Sequence, residues 1–308
     1  MQSGYDERLT GRLRDLILEG YAKQRELNLN EIQNLLGNPA VDPNIKIHNR
    51  GPTIPHCIVL NSDIHIRLWG EPGLREILTM LELWGRRWDF EVNCLFRDEG
   101  TALIHDAVRN RDTYNPRILS AVLKLYNIDV NLRTRLLHTH QNTMRTALDF
   151  AVENNNLEAV QILLEEGRAN PNVRFGDHGL TLLEYLVAND DEHAHDRQRF
   201  DMIKLFLDHG YIVNRVGTND SLSLLHRCKD VDVCKLLLDR GCDPLIINQD
   251  GINALRYALS MNRADISNTI RAWAENMHSA TQYALRKWIG RDPTEIVAAY
   301  SYPSSDRY

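Results

Sequence analysis

Two groups of side chains in this sequence contain the residue types that ligate metal ions. The denser group is Asp190-Asp191-Glu192-His193-Ala194-His195-Asp196, which combines imidazoles with carboxylates. The smaller group is His138 with His140. Neither group has neighbours that would order it, so we interpret both as solvated polar insertions. The sequence therefore predicts no metal ion and no cofactor.

Thiol chemistry is equally poorly supported. Cys57 directly follows His56, a possible nucleophile beside a possible base, but the apolar residues after it indicate a buried helix. Cys234 and Cys242 lie on either side of a predicted helix end and lack a second ligand pair at zinc spacing. The phosphate-loop, dinucleotide, nucleophile-elbow and H-E-x-x-H motifs are absent from the sequence. No catalytic residue is predicted.

Composition limits the class of protein. The chain has 308 residues, of which 43% are hydrophobic, and a net charge of −6, which argues against nucleic acid as the main partner. Five scattered cysteines, an odd number, suit a reducing compartment better than a disulfide framework. No apolar run reaches the ~18 residues of a membrane span. The expected location is the cytoplasm, with the nucleus as the alternative.

The clearest local pattern lies in residues 143–172, which predict two short amphipathic helices joined by polar Asn154-Asn155-Asn156. Gly167 stands where a left-handed residue would end the second helix. Apolar residues recur at helical spacing in that helix: Leu157, Val160, Leu163 and Leu164. Neither helix can bury its apolar face alone, so neighbouring units are expected.

The opening of the first helix, Thr146-Ala147-Leu148-Asp149-Phe150-Ala151, resembles the T-P-L-H-x-A signature of the ankyrin repeat, a helix pair of about 33 residues. Five more stretches resemble the same motif: residues 50–56, 99–105, 178–184, 220–226 and 250–256. The family's closing V-N matches three dipeptides: Val92-Asn93, Val130-Asn131 and Val213-Asn214. The resemblance implies an all-α ankyrin-repeat solenoid with short hairpin or loop fingers.

The resemblance also sets the expected domains. Residues 1–49 form a helical N-terminal cap, residues 50–276 form the repeats, and residues 277–308 form a C-terminal helical cap and tail. The expected repeats are 50–98, 99–142, 143–177, 178–219, 220–249 and 250–276. Several copies exceed the family length. The extra residues are Asn61–Gly73, Asn110–Asn115 and Asn189–Gln198 between paired helices, and a long finger at Leu132–Thr143.

One motif position, which holds His in the family, carries a polar residue in every copy. The row is His56, His105, Asp149, Glu184, His226 and Arg256. The resemblance places this position near the start of each first helix, on the concave side. We expect Asp149 to pair with His105 and Glu184 with His226, which would raise the pKa of both histidines. A buried, internally satisfied polar row is the favoured interpretation, and a catalytic or ligand-binding ladder is the alternative.

Arginines recur just after the closing asparagines, at or near the fingers. They are Arg97, Arg133, Arg174 and Arg215, with Phe96 and Phe175 beside two of them. Arginine with an aromatic neighbour is typical of interface hot spots, and its planar fork can bind a carboxylate. Solvated turn residues are the alternative. The pattern predicts a basic stripe that binds an acidic protein segment.

The function that the resemblance implies is non-enzymatic protein–protein recognition, with a protein segment bound through the concave and finger face. Two alternatives stay open. One is an enzyme or small-molecule binder whose inserted loops close a pocket over the polar row. The other is a microbial effector that binds host proteins, which degenerate repeats with inserted loops would also suit.

Overall fold

The computed structural model describes residues 4–23, 28–46, 52–95, 100–109, 114–135, 144–175, 179–189, 196–217 and 221–289. The predicted sites Phe96, Arg97, His138, His140 and positions 190–195 lie outside these residues. The helices are α1 (Glu7–Lys23), α2 (Leu29–Gly37), α3 (Ile54–Leu60), α4 (Ser62–Gly85), α5 (Leu103–Arg109), α6 (Pro116–Leu123), α7 (Ala147–Glu153), α8 (Leu157–Glu165), α9 (Leu182–Ala188), α10 (Asp196–Asp208), α11 (Leu224–Arg227), α12 (Val231–Asp239), α13 (Ala254–Ser260) and α14 (Ala264–Ile289). Strands β1 (Thr134–Arg135) and β2 (Met144–Arg145) form one antiparallel pair.

The chain divides into two compact units. The first contains Met1–Leu182 and Arg197–His209, and the second contains Leu183–Asp196 and Gly210–Tyr308. In the first unit α3, α5 and α7 pack in series, and α4, α6 and α8 pack in a parallel series. Each first helix also packs on its own second helix. The apolar sides of the two series, including Leu148, Leu163 and Leu164, are buried between them. The predicted all-α stacking of helix pairs is confirmed.

The N-terminal helices of the first unit are attached to the end of α4. α1 packs on α2, and α2 packs on α4. The indole N–H of buried Trp84 donates to the carbonyl of Pro43 at 2.9 Å. The Arg87 guanidinium donates to the carbonyls of Leu36 and Val41, each at 2.8 Å. These bonds satisfy carbonyls that α2 and the following turn leave without helical partners.

The insertion predicted at Asn61–Gly73 is helical rather than a loop. It forms the first part of α4, which kinks at Gly70, where φ is +61° and ψ is −138°. Pro72 follows the kink and lacks the N–H that a continuous helix would need. Across the kink, His65 Nε2 lies 2.8 Å from Glu76 Oε2, and both side chains are largely buried. The extra residues therefore build an additional helical segment.

In the second unit α11 packs on α12 and α13, and α14 packs on both α12 and α13. The sequence predicts a boundary at residue 276, between the last repeat and a separate C-terminal helix. The structure instead has one continuous helix, α14, from Ala264 to Ile289. No glycine or proline occurs within it, so nothing in the backbone chemistry ends the helix at that boundary.

Left-handed glycines follow two of the helices, but the prediction that Gly167 is such a residue is wrong. Gly210 and Gly241 adopt φ of +85° and +83°, in the left-handed region. After α8 the left-handed residue is Arg168, with φ of +52°, and not Gly167. A Cβ at Gly167 would lie 2.8 Å from the carbonyl oxygen of Leu163. Glycine is needed there for close packing.

Candidate functional site

Residues of the polar row help to cap the first helices of the repeats. In α7, the Thr146 N–H donates to Asp149 Oδ2 at 2.6 Å, and the Asp149 N–H donates to Thr146 Oγ1 at 3.3 Å. This reciprocal pair is a capping box, which satisfies backbone N–H groups that the first turn leaves without partners. Asp149 is fully buried.

The histidines of the row connect one repeat to the next. His105 Nδ1 accepts the Ala102 N–H at 3.0 Å, so Nε2 carries the ring proton and donates to the Leu132 carbonyl at 2.9 Å. In the second unit the His226 ring accepts the Ser223 N–H at 3.2 Å and lies 3.0 Å from the Ile252 carbonyl. Each ring therefore joins a helix start to the following finger or turn.

The predicted charge pairing is wrong for His105. Burial lowers the pKa of His105 to about 4 and the pKa of His56 to about 3. Burial also raises the pKa of Asp149 to about 6, although the hydrogen bonds from Thr146 oppose the shift. The cost of desolvating the charged forms exceeds any attraction between them, so the histidine stays neutral.

The residues of the polar row differ in their exposure to solvent. Glu184 is buried in the second unit, whereas Arg256 is exposed. The first-unit members His56, His105 and Asp149 are fully buried. A side chain without solvent access cannot contact a partner on the surface, so these positions maintain the repeats.

Two of the predicted finger arginines come together in the first unit. Arg133 directly precedes β1, and Arg174 forms an isolated antiparallel bridge with Thr181. Arg133 Nη2 donates to the Arg174 carbonyl at 3.3 Å. Both arginines are exposed, and neither forms an ion pair with any residue that the structure describes.

Their neighbours differ from the prediction. Phe175 is buried, with 5% of its surface exposed, so it belongs to the core and not to a partner-binding surface. Its N–H donates to the Leu180 carbonyl at 2.7 Å, which closes the finger. Arg145, one strand away, binds Glu153 and lies 6.0 Å from the Phe150 ring centroid. Arg215 is half-buried and belongs to the second unit.

The closing asparagines tie successive turns together. Asn93 Oδ1 accepts the Asp129 N–H at 2.9 Å, and Asn131 Oδ1 accepts the Asn170 N–H at 2.8 Å. Asn214 makes the same bond to the Asp243 N–H in the second unit, at 2.8 Å. Asn131 thus has a structural role between two turns. The bonds hold the turns, and the residues between them, in register.

Two exposed aromatic side chains on these turns were not predicted from the sequence. Trp88 is 85% exposed and Tyr126 is 63% exposed. Each stands four residues before a closing V-N, at Val92-Asn93 and at Val130-Asn131. Counting back from that dipeptide would have placed both residues at the same repeat position.

The other candidate chemistry is weak where the structure describes it. Burial raises the pKa of the Cys57 thiol to about 12, which disfavours the nucleophilic thiolate. Among the described residues, no cluster of three or more histidine, cysteine, aspartate or glutamate side chains is arranged to hold a metal ion. Within the same residues, no helix is both long and apolar enough to cross a membrane.

Comparisons with known proteins agree with this repeat architecture. A family model described as Ankyrin repeat matches residues 144–174. The ankyrin repeat domain of Bcl-3, a member of the IkappaB protein family, aligns with a TM-score of 0.56 and 22% identity, over 84% of this chain and 97% of that one. An ankyrin repeat domain from Acinetobacter baumannii aligns with a TM-score of 0.50 and 15% identity, over 71% of this chain and 97% of that one.

A curated relative gives a shorter match. XBAT34 of Arabidopsis thaliana, a proposed E3 ubiquitin-protein ligase, is 34% identical over 125 residues, which are 39% of this chain. The match spans 30% of the length of that protein.

The serial packing of helix pairs defines an all-α solenoid repeat protein. More specifically, the chain has the fold of ankyrin repeat domains, and residues 144–174 match the Ankyrin repeat model. Ankyrin repeats imply a protein–protein interaction domain.

Proposed function

We propose that this chain recognises an acidic segment of a partner protein through the finger side of its first unit. The observation that carries the proposal is the pair Arg133 and Arg174, which are exposed and joined by the 3.3 Å hydrogen bond from guanidinium to carbonyl. The bond uses one N–H of Arg133 and leaves its other donors, and the whole guanidinium of Arg174, to a ligand. Two such forks suit carboxylates along an extended acidic segment.

The surroundings of the pair support a recognition role over a structural one. Arg145 is neutralised by Glu153 within the chain, whereas Arg133 and Arg174 have no carboxylate partner among the described residues. The protein carries a net charge of −6, so an exposed arginine pair is a local exception to its overall charge. Such an exception steers an acidic partner toward one place on the surface.

The environment of the polar row also agrees better with a protein-binding function than with a catalytic function. His105 forms hydrogen bonds with Ala102 and Leu132, and Asp149 forms one with Thr146. Both side chains are fully buried. Their perturbed pKa values follow from burial and do not require a substrate. We therefore assign the ionisable row to the stability of the repeats and the arginine pair to the partner.

The test compares two variants with the same change of charge. Arg133→Glu with Arg174→Glu reverses the pair, while Arg75→Glu with Lys204→Glu reverses two exposed helix residues of the same unit. The wild type and both variants are used to capture proteins from a lysate. Proteins that bind the wild type and the second variant but not the first variant are identified and purified. Their affinity is then measured by calorimetry at increasing salt.

We expect the arginine variant to weaken binding by at least about tenfold and the control to bind like the wild type. Salt should weaken the wild-type complex, because it screens the charges of an exposed interface. Undiminished affinity of the arginine variant at low salt would refute the proposed surface.

A further inference from the structure

Trp88 and Tyr126 occupy the same position in two neighbouring repeats and are both largely exposed. Large aromatic side chains are normally buried for most of their surface, so 85% exposure of a tryptophan is unusual. The two turns are joined by Asn93, whose Nδ2 donates to the Asn127 carbonyl at 2.7 Å and whose Oδ1 accepts the Asp129 N–H. The rings therefore project from a braced surface.

A cation stands two residues before each ring. Arg86 precedes Trp88, and Lys124 precedes Tyr126, and both are exposed. Arg86 is bound to Glu82 at 2.6 Å, whereas Lys124 has no ion pair among the described residues. Each of the two repeats thus presents one cation and one aromatic ring in the same order. We call these four side chains the cation–aromatic surface.

The cations of this surface also line a groove across α4, α6 and α8. Its volume is about 730 Å³, within the ~300–1,000 Å³ typical of ligand sites. Pro116, Ala121 and Ile162 contribute apolar lining. The carboxylates at the groove are Glu82, which is bound to Arg86, and Glu166, which belongs to the α8 side. The groove gives an extended segment room beside Arg86 and Lys124.

We propose that the cation–aromatic surface binds a proline-rich protein segment that carries acidic residues. A polyproline II helix has three residues per turn and rises 3.1 Å per residue, so equivalent residues recur every ~9 Å. Packed helices of neighbouring repeats are ~8–10 Å apart, so prolines three residues apart match the spacing of the repeats. Prolines stack on exposed aromatic rings in this conformation, and little entropy is lost because it forms before binding.

Charge selects the rest of the segment. With three residues per turn, an acidic residue at every third position forms one continuous edge of the polyproline helix. That edge can follow Lys124 and the N–H groups of Arg86 that do not bind Glu82, while the proline faces contact Trp88 and Tyr126. This surface consists of other residues than the arginine pair of the proposed function: Trp88 and Tyr126 precede the closing asparagines Asn93 and Asn131, whereas Arg133 follows Asn131.

The probe is a fluorescein-labelled peptide with four repeats of Pro-Pro-Glu, and binding is measured by anisotropy. Two matched peptides replace either every glutamate by lysine or every proline by glycine. The protein variants are Trp88→Ala, Tyr126→Ala and Lys124→Glu, all at exposed positions. The charge-matched variant Arg75→Glu with Lys204→Glu, at two exposed helix residues that do not line the groove, serves as the control.

We expect saturable binding of the Pro-Pro-Glu peptide and weaker binding of both matched peptides. Each aromatic variant should lose about tenfold or more in affinity, as for hot-spot residues. Lys124→Glu should weaken the acidic peptide and strengthen the lysine peptide. The control should bind like the wild type, which would show that the losses come from this surface and not from the changed net charge of the protein.

Three results would overturn the proposal. The first is no saturable binding to the wild type at millimolar peptide. The second is equal binding by wild type and Trp88→Ala. The third is a wild-type dimer in sedimentation velocity that Trp88→Ala converts to a monomer, because the surface would then be covered by a second copy of the chain.

Discussion

The interior and the finger edge of the first unit place ionisable side chains in opposite environments. His105 and Asp149 lie in the interior, where they form hydrogen bonds with other residues of the chain. Burial lowers the pKa of His105 and raises the pKa of Asp149, and both shifts favour the neutral side chain. Arg133 and Arg174 lie at the edge, exposed and without a carboxylate partner among the described residues. Residue type alone therefore does not identify a site in a repeat protein. Exposure and the availability of donors do.

The largest effect should come from the apolar interior. Leu164 on α8 is 3% exposed, so Leu164→Ala should cost about 2–5 kcal/mol of unfolding free energy through lost burial and a residual cavity. Leu68→Ala, at a residue that is about half exposed, is the matched control and should cost far less. Urea denaturation monitored by circular dichroism measures both. Equal midpoints for the two variants would contradict the assignment of Leu164 to the core.

The next effect is a change of stability with pH, which arises from buried side chains of the interior and not from the finger edge. In the unfolded chain histidine titrates near 6.5, whereas the folded-state pKa values are about 4 for His105 and about 3 for His56. The unfolded state therefore binds more protons as pH falls below about 6.5, and stability is lost toward the folded-state values. Asp149 works in the opposite direction, because its raised pKa of about 6 lets the folded state take up a proton below that pH.

The two histidines outnumber the one aspartate, so the net change should be a loss of a few kcal/mol between about pH 6.5 and 4, at about 1.4 kcal/mol per pKa unit. Thermal melts across this range measure it. His105→Gln should reduce the slope of stability against pH. A slope of the opposite sign in the wild type would restore the charge-pairing hypothesis.

Much of this architecture could be predicted from local chemistry. Thr146 and Asp149 form the cap that their motif indicates, because capping bonds depend on residues only three apart. The charge pairing failed, since it depends on how completely folding removes water around His105. Gly167 was misassigned because a packing requirement and a left-handed conformation both select glycine.

Longer-range features escaped the sequence for related reasons. The residues inserted before Gly70 read as a loop, but their helix is stabilised by contacts such as that of His65 with Glu76 across the kink. Exposure of Trp88 could not be read from its type, because tryptophan is normally buried. In both cases the outcome depends on contacts, or on a lack of contacts, that exist only in the folded chain.

The smallest expected effect on stability is at the finger edge. Arg133→Ala with Arg174→Ala removes two exposed side chains and one long hydrogen bond, so the unfolding free energy should change by no more than ~0.5 kcal/mol. The positive charge of Arg133 nevertheless acts on Asp149 and lowers its pKa against the effect of burial. Removing Arg133 should therefore raise the pKa of Asp149 further, by an amount that salt reduces. Carboxyl titration by NMR measures the shift, with Arg174→Ala alone as the control. A large loss of stability in the double variant would show that the pair supports the fold, and the contrast between interior and edge would then fail.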